Sequence, residues 1–163
     1  MAAVITITNQ GTDYYVTVNG RATFEYAPQL RSLAKTLENT DYTSIHVDLE
    51  QCTGMDSTFM GILSMLGLNA RKINVPMTIY NAGTDNKNLL FGLGLKKLFQ
   101  YEDGPMASGG TGWESGDAAV PGKMDARTVL EAHQTLMDAD EQNVKKFEKV
   151  VEMVQRDIDK QNQ

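Results

Sequence analysis

The sequence predicts an α/β fold: a single sheet of about five strands in mixed parallel and antiparallel order, with helices packed on it and a helical extension at the carboxyl terminus. The first observation is that short β-branched runs alternate with amphipathic helical runs over about the first hundred residues. The second is that a glycine-rich stretch separates this alternation from a charged, amphipathic tail. Strands joined through helices become parallel by right-handed crossovers, whereas a tight turn gives an antiparallel pair.

A β-hairpin and a helix are predicted first. Residues 4–8 alternate as a strand does, the turn "NQGTD" follows, and residues 14–18 are again β-branched and aromatic. The next segment, "APQLRSLAKTLENT", has Pro28 near its start and an apolar face made of Leu30, Leu33, Ala34 and Leu37. This spacing is typical of an amphipathic helix.

Two further strand and helix pairs and a last strand follow. "SIHVDL" predicts a buried strand, and a helix is expected from Ser57 to about Ala70, with Met60, Leu63, Leu66, Gly67 and Ala70 at three- and four-residue spacing. "VPMTIYN" predicts a strand with Pro76 at its entrance. A short helix from Asn86 to Leu93 and the strand "LFQY" complete the domain, which we assign to residues 1–103.

Residues 104–122 are rich in glycine and lack apolar periodicity, so they predict a flexible linker. Residues 123–163 predict a helical extension that Asp125 can cap. Asp138 and Glu141 offer a second capping box, so two helices with a break near Asp138 compete with one long helix.

The tail carries an apolar stripe on an otherwise charged helix, made of Val144, Phe147, Val151, Val154 and Ile158. Such a stripe is unfavourable in water and has to be covered. The cover is its own domain, a second copy of the chain or a separate partner. The heptad-like spacing favours association through residues 144–158, as a homodimer or with a helical partner.

Composition excludes several classes of function. The net charge of −6 and pI near 4.9 argue against nucleic-acid binding, which requires Lys and Arg at phosphates. Cys52 is the only cysteine, so the chain can form neither an internal disulfide nor a thiolate metal cluster. We expect no signal peptide, no membrane span and a cytoplasmic location.

The sequence indicates no catalytic residue, cofactor or metal site. His46 and His133 lack a ligand spacing and are interpreted as structural, and Cys52 as an inert thiol. The glycines of "FGLGLKKLF" are interpreted as a helix C-cap, and the role of Trp113 stays open. An enzyme is disfavoured, since no nucleophile and base pair can be recognised.

The cluster Asp56-Ser57-Thr58 stands between the third predicted strand and its helix. These residue types are the preferred N-caps, so a purely structural role is the first interpretation. A functional role gains support from position, because open α/β folds place their sites at the carboxyl edge of the sheet. Backbone amides and the positive helix end there also tolerate an added phosphate.

"VDLEQCTGMDSTFMGIL" resembles the signature of STAS domains, the sulfate-transporter and anti-sigma-factor-antagonist family. Asp48 and Leu49 match the strand end, Met55 the hydrophobic position, and Asp56 the acidic residue. Ser57 matches the phosphorylated serine and Thr58 its hydroxylic neighbour, with Gly61 and Leu63 in the continuation. Phe59 departs from the family's usual glycine. Gly20 after the second strand and "NLLFGLGLKKLFQY" near the end extend the resemblance over roughly residues 1–103.

The resemblance implies a STAS-like sheet and a non-enzymatic switch. In that family, the unphosphorylated antagonist binds an anti-sigma factor that is also a serine kinase, and a PP2C-like phosphatase reverses the phosphorylation. It therefore implies phosphorylation at Ser57 and partner binding through Asp56, Ser57, Thr58, Phe59 and Met60. The alternative is a STAS subunit of a transporter or stress-sensing assembly, which the long tail favours.

Overall fold

The computed structural model describes residues 3–106, 117–118 and 123–162. Its strands are β1 (Val4–Gln10), β2 (Asp13–Ala22), β3 (Ser44–Met55), β4 (Met77–Tyr80), β5 (Gln100–Glu102) and β6 (Asp117–Ala118). Its helices are α1 (Ala27–Leu37), α2 (Ser57–Lys72), α3 (Gly83–Gly92), α4 (Ala126–Ala139) and α5 (Gln142–Gln161), with a 3₁₀ turn at Phe24–Tyr26 before α1.

The strands form one mixed sheet in the order β5-β4-β3-β2-β1-β6. The hairpin β1-β2 is antiparallel, and β2, β3, β4 and β5 are mutually parallel. This confirms the predicted α/β class, since helical crossovers join the parallel strands and a tight turn joins the antiparallel pair. The carboxyl ends of β2 to β5 therefore lie at one edge, where β3 continues into α2.

Gly20 occupies a different place from the one expected. The resemblance placed it after the second strand, but it lies within β2, where the register with β3 shifts. Its φ of +92° is in the left-handed region, and an added Cβ would lie 3.0 Å from the Ala3 Cα. A bulge that carries β2 close to residue 3 thus requires glycine here.

Helix α2 lies at the centre of the packing. Its residues from Thr58 to Ser64 are all buried, because α2 contacts both α1 and α4 in addition to the rest of the core. A helix that is apolar around its whole circumference needs cover on every side. The tail helix α4 supplies part of that cover.

The tail forms two helices, which confirms one of the two predicted alternatives. The break lies at Asp140, close to the predicted Asp138: the Asp140 side chain accepts a hydrogen bond from the Gln142 amide at 2.9 Å. Phe147 packs against the core and Ile158 is buried, while Val144, Val151 and Val154 are half-buried. The stripe therefore faces its own chain, and association through residues 144–158 stays a prediction.

The segment predicted as a linker contributes a short strand. Residues 117–118 pair antiparallel with Thr6 and Ile7 of β1. Trp113 lies outside the described residues. Within residues 3–106 and 123–162, no helix is both long and apolar enough to traverse a bilayer.

Candidate functional site

Asp56 forms the N-cap of α2 and joins two parts of the fold. One carboxylate oxygen accepts a hydrogen bond from the Phe59 amide at 2.8 Å, and the other accepts one from the Phe24 amide at 2.7 Å. The Asp56 amide in turn donates to the Ala22 carbonyl at 3.0 Å. Asp56 therefore satisfies a free amide of α2 and holds the end of β2 beside it.

Ser57 is the first residue of α2 and takes no part in the cap. Its half-buried hydroxyl lies 2.9 Å from Nε2 of His133, a residue of α4 that is 76 positions away in the sequence. Since Asp56 alone caps the helix, the Ser57 hydroxyl is not required for the start of α2. The structural and the functional interpretations of the cluster thus apply to different residues.

The contacts of His133 determine the direction of this hydrogen bond. Its Nδ1 lies 2.7 Å from the Val129 carbonyl, which only accepts, so Nδ1 carries a proton. In the neutral imidazole Nε2 is then an acceptor, and the Ser57 hydroxyl donates. The imidazole is 4% exposed and its ring packs 4.9 Å from that of Phe147.

The pairing of Ser57 with His133 corrects the expectation that no nucleophile and base come together. Sequence reasoning interpreted His133 as structural because no local spacing links it to Ser57. The only sequence feature that pointed to this pairing was the presence of a histidine on the apolar face of the tail helix. The pair lies between α2 and α4. A cavity of about 480 Å³ lies away from it, beside Gly67, Arg71 and Phe99.

The residues predicted to bind a partner are unequally accessible. Asp56 and Ser57 are half-buried, whereas Thr58, Phe59 and Met60 are 6%, 0% and 5% exposed. Phe59, which stands where STAS domains usually have glycine, belongs to the hydrophobic core. In this conformation only Asp56 and Ser57 are partly accessible to a partner. Partner binding through Thr58, Phe59 and Met60 stays a prediction.

Cys52 and His46 have local partners. The Cys52 thiol donates to the Gly54 carbonyl at 3.3 Å, and burial raises the pKa of this thiol. His46 is hydrogen-bonded to Ser44 and Tyr80, and burial lowers the pKa of its imidazole. Among the described side chains, no three from His, Cys, Asp and Glu lie together as a metal site would require.

Gly92 is the last residue of α3, and Gly94 ends the helix as predicted. Gly94 has a φ of +73°, its amide bonds to the Phe91 carbonyl, and the Leu95 amide bonds to the Leu90 carbonyl. This is the Schellman pattern of a helix C-terminus. The turn also receives the tail, because an added Cβ at Gly94 would collide with the Asp140 side chain.

Comparison with solved structures identifies the fold. The chain is similar to the anti-sigma factor antagonist SpoIIAA in its unphosphorylated form, with a TM-score of 0.52 and 12% identity over 63% of this chain and 89% of that one. The phosphorylated form of the Bacillus cell fate determinant SpoIIAA gives a TM-score of 0.53 and 14% identity, over 62% of this chain and 91% of that one.

An anti-sigma factor antagonist from Mycobacterium paratuberculosis has a TM-score of 0.50 and 17% identity, over 65% of this chain and 88% of that one. No protein-family model and no curated protein sequence matches the chain. Each match covers nearly all of the solved structure, whereas about a third of this chain lies outside it. The chain thus has the STAS-like fold of anti-sigma factor antagonists, with additional residues.

Proposed function

We propose that this chain, which has the fold of the anti-sigma factor antagonists, is a non-enzymatic switch controlled by phosphorylation of Ser57. Unphosphorylated, it binds an anti-sigma factor that is a serine kinase, and a PP2C-like phosphatase reverses the modification. The division of tasks at α2 carries the proposal: Asp56 caps the helix, so the Ser57 hydroxyl has no part in the cap and can be modified without loss of the helix start.

The position of Ser57 supports acceptance of a phosphate. The residue stands at the first turn of α2, where the helix dipole and free amides stabilise negative charge. Phosphorylation adds about −1.5 to −2 charges, next to the carboxylate of Asp56. A partner face at this point then becomes strongly acidic, so binding changes while the fold persists.

The position of Ser57 at the start of α2, and not its exposure alone, makes it the proposed target among three neighbouring hydroxyls. Thr58 is 6% exposed and therefore poorly placed for a kinase, whereas Thr53 is exposed and provides a matched control. We expect phosphopeptide mapping, after incubation with ATP and a serine kinase of the anti-sigma type, to locate the phosphate on Ser57. Ser57→Ala should abolish the modification and Thr53→Ala should preserve it. Phosphate confined to Thr53 or Thr58 would contradict the proposal.

A second candidate function is a STAS interaction subunit of a transporter or stress-sensing assembly. The observation that favours it is the tail, because α4 occupies part of the surface of α2. In that role Ser57 serves as a docking position and is never phosphorylated. Purification of the chain from its native host separates the two: a serine kinase as the main companion supports the switch, and transporter subunits support the assembly.

A further inference from the structure

Helix α4 lies directly against the serine site. The hydrogen bond from Ser57 to His133 marks the contact at the first turn of α2, and the next turn makes a closer one. Gly61 faces the backbone of Ala132: an added Cβ would collide with the Ala132 carbonyl and lie 2.7 Å from the Ala132 Cβ. The absence of a side chain at residue 61 therefore allows α4 to approach this face of α2.

Polar contacts hold α4 and α5 in place on either side of the contact between Gly61 and Ala132. At one end Glu131 receives two hydrogen bonds from the Arg31 guanidinium of α1, at 2.5 and 3.1 Å, and Lys35 lies 3.6 Å from the same carboxylate. At the other end the buried Asn143 donates to the Leu93 carbonyl at 2.9 Å, and Lys146 donates to the Gly92 carbonyl at 2.8 Å.

We infer that α4 is an intramolecular cover for the serine site, and that it has to move away from Gly61 and Ser57 before another protein can reach the Ser57 hydroxyl. The packing of α4 on α2 supports this inference. Its application to a kinase rests on the proposed function. The contacts that hold α4 are an ion pair, a few hydrogen bonds and a helix crossing that buries Ala132 and Leu136 in the core.

Phosphorylation changes the contact between Ser57 and His133. A phosphorylated Ser57 has no hydroxyl proton, so its Oγ can no longer donate to Nε2 of His133. The hydrogen bond from the hydroxyl to the imidazole, which is present in the covered state, is therefore lost on modification.

The test measures access to residue 57 without a kinase. In a Cys52→Ala background, Ser57→Cys introduces a single thiol, whose rate of alkylation by iodoacetamide reports exposure of the site. Adding Gly61→Ala places a methyl group against α4, while alanine favours the α2 helix itself. Because this clash is with backbone atoms of α4, it favours the state in which α4 has moved away, so we expect alkylation to become faster by about tenfold or more.

Gly67→Ala is the matched control on the same helix. Its added Cβ would meet the side chains of Phe99 and Leu98, not α4. We expect this variant to alkylate within about twofold of the parent. Equal rates for parent and Gly61→Ala would overturn the inference, as would an equally large increase in Gly67→Ala.

Glu131→Gln provides a second variant if Gly61→Ala does not fold. It breaks the ion pair to α1 and leaves the α2 crossing intact. We expect a smaller increase in alkylation, with faster hydrogen exchange confined to α4 and α5. Unchanged exchange and unchanged alkylation in Glu131→Gln would overturn the inference. The alkylation experiment contains no kinase, so a failure to phosphorylate Ser57 would not affect the inference that α4 covers the site. Equally, a failure of the alkylation test would not affect the proposal that Ser57 is phosphorylated.

Discussion

At the scale of single residues, Asp56 and Ser57 perform separate tasks although they are neighbours in one motif. Asp56 accepts two backbone hydrogen bonds from two different elements, and Ser57 donates to a side chain from the tail. A substitution at each position therefore has a different expected outcome. Stability should depend on Asp56, and access or signalling on Ser57.

Asp56→Ala should destabilise the fold. It removes the cap of α2, which is worth about 0.5 to 2 kcal/mol, and leaves the Phe24 amide without its acceptor. We expect a loss of about 2 to 3 kcal/mol, measured by urea unfolding. Asp56→Asn keeps one acceptor oxygen and should lose less. Equal stability of Asp56→Ala and wild type would show that the cap is dispensable.

Ser57→Asp should fold with stability close to that of wild type. The carboxylate at the first turn gains from the helix dipole, while the hydrogen bond to His133 is lost; each effect is about 1 kcal/mol or less. We expect weakened binding to the proposed kinase partner with a near-normal melting temperature. Ser57→Ala separates loss of the hydroxyl from gain of charge. Outright unfolding of Ser57→Asp would show that Ser57 is structural.

At the scale of elements, the ion pair between α1 and α4 makes the packing of the tail on the domain sensitive to pH. The hydrogen bond from Arg31 holds the pKa of Glu131 below its ordinary value, and the same contact raises the pKa of Arg31. A carboxylate with a lowered folded-state pKa stabilises the fold above its unfolded pKa. That contribution disappears as the pH falls through the folded value.

Glu131→Gln should accordingly lose about 1 kcal/mol near neutral pH. The difference from wild type should shrink in acid, where the wild-type carboxylate is itself protonated. Urea unfolding of both proteins across the acidic range measures this convergence. A difference that stays constant down to pH values below the folded pKa of Glu131 would show that charge is not what Glu131 contributes.

Local patterns were sufficient to predict most elements and insufficient for their contacts. Alternation and helical spacing are properties of neighbouring residues, so β1 to β5 and the helices could be read directly. The pairing of Ser57 with His133 depends on how α4 crosses α2, which no local pattern encodes. Nevertheless, Phe59, Ile62 and Met65 on the second face of α2 were a signal that this helix requires cover on all sides.

At the scale of the whole molecule, we propose that residues 1–103 form the STAS unit, residues 104–122 connect, and residues 123–163 fold back as a helical extension. The packing of α4 on α2 supports a functional dependence between the first and third parts. The extension then completes the core of the unit that it covers, since Ala132 and Leu136 belong to the same hydrophobic cluster as Phe59.

The heptad-like spacing of residues 144–158 predicts association, whereas the packing of the apolar stripe on its own domain favours a monomer. We expect light scattering to show the full chain as a monomer. A chain that ends at Asp103 should be less stable, since it exposes the face of α2 that α4 covers. Thermal unfolding of the two proteins measures this loss. A full-length dimer whose truncated form is a well-folded monomer would instead support association through residues 144–158.

The attachment of α4 to the surface it covers also sets how a partner competes with it. Closing is unimolecular, so dilution does not loosen it, whereas a partner's occupancy of the site rises with the partner's own concentration. If about one molecule in a hundred is open, the partner's apparent Kd is about a hundredfold weaker than its intrinsic Kd. The tail would then raise the free partner concentration needed for half-occupancy to the intrinsic Kd divided by the open fraction, a value that does not depend on how much of this protein the cell contains.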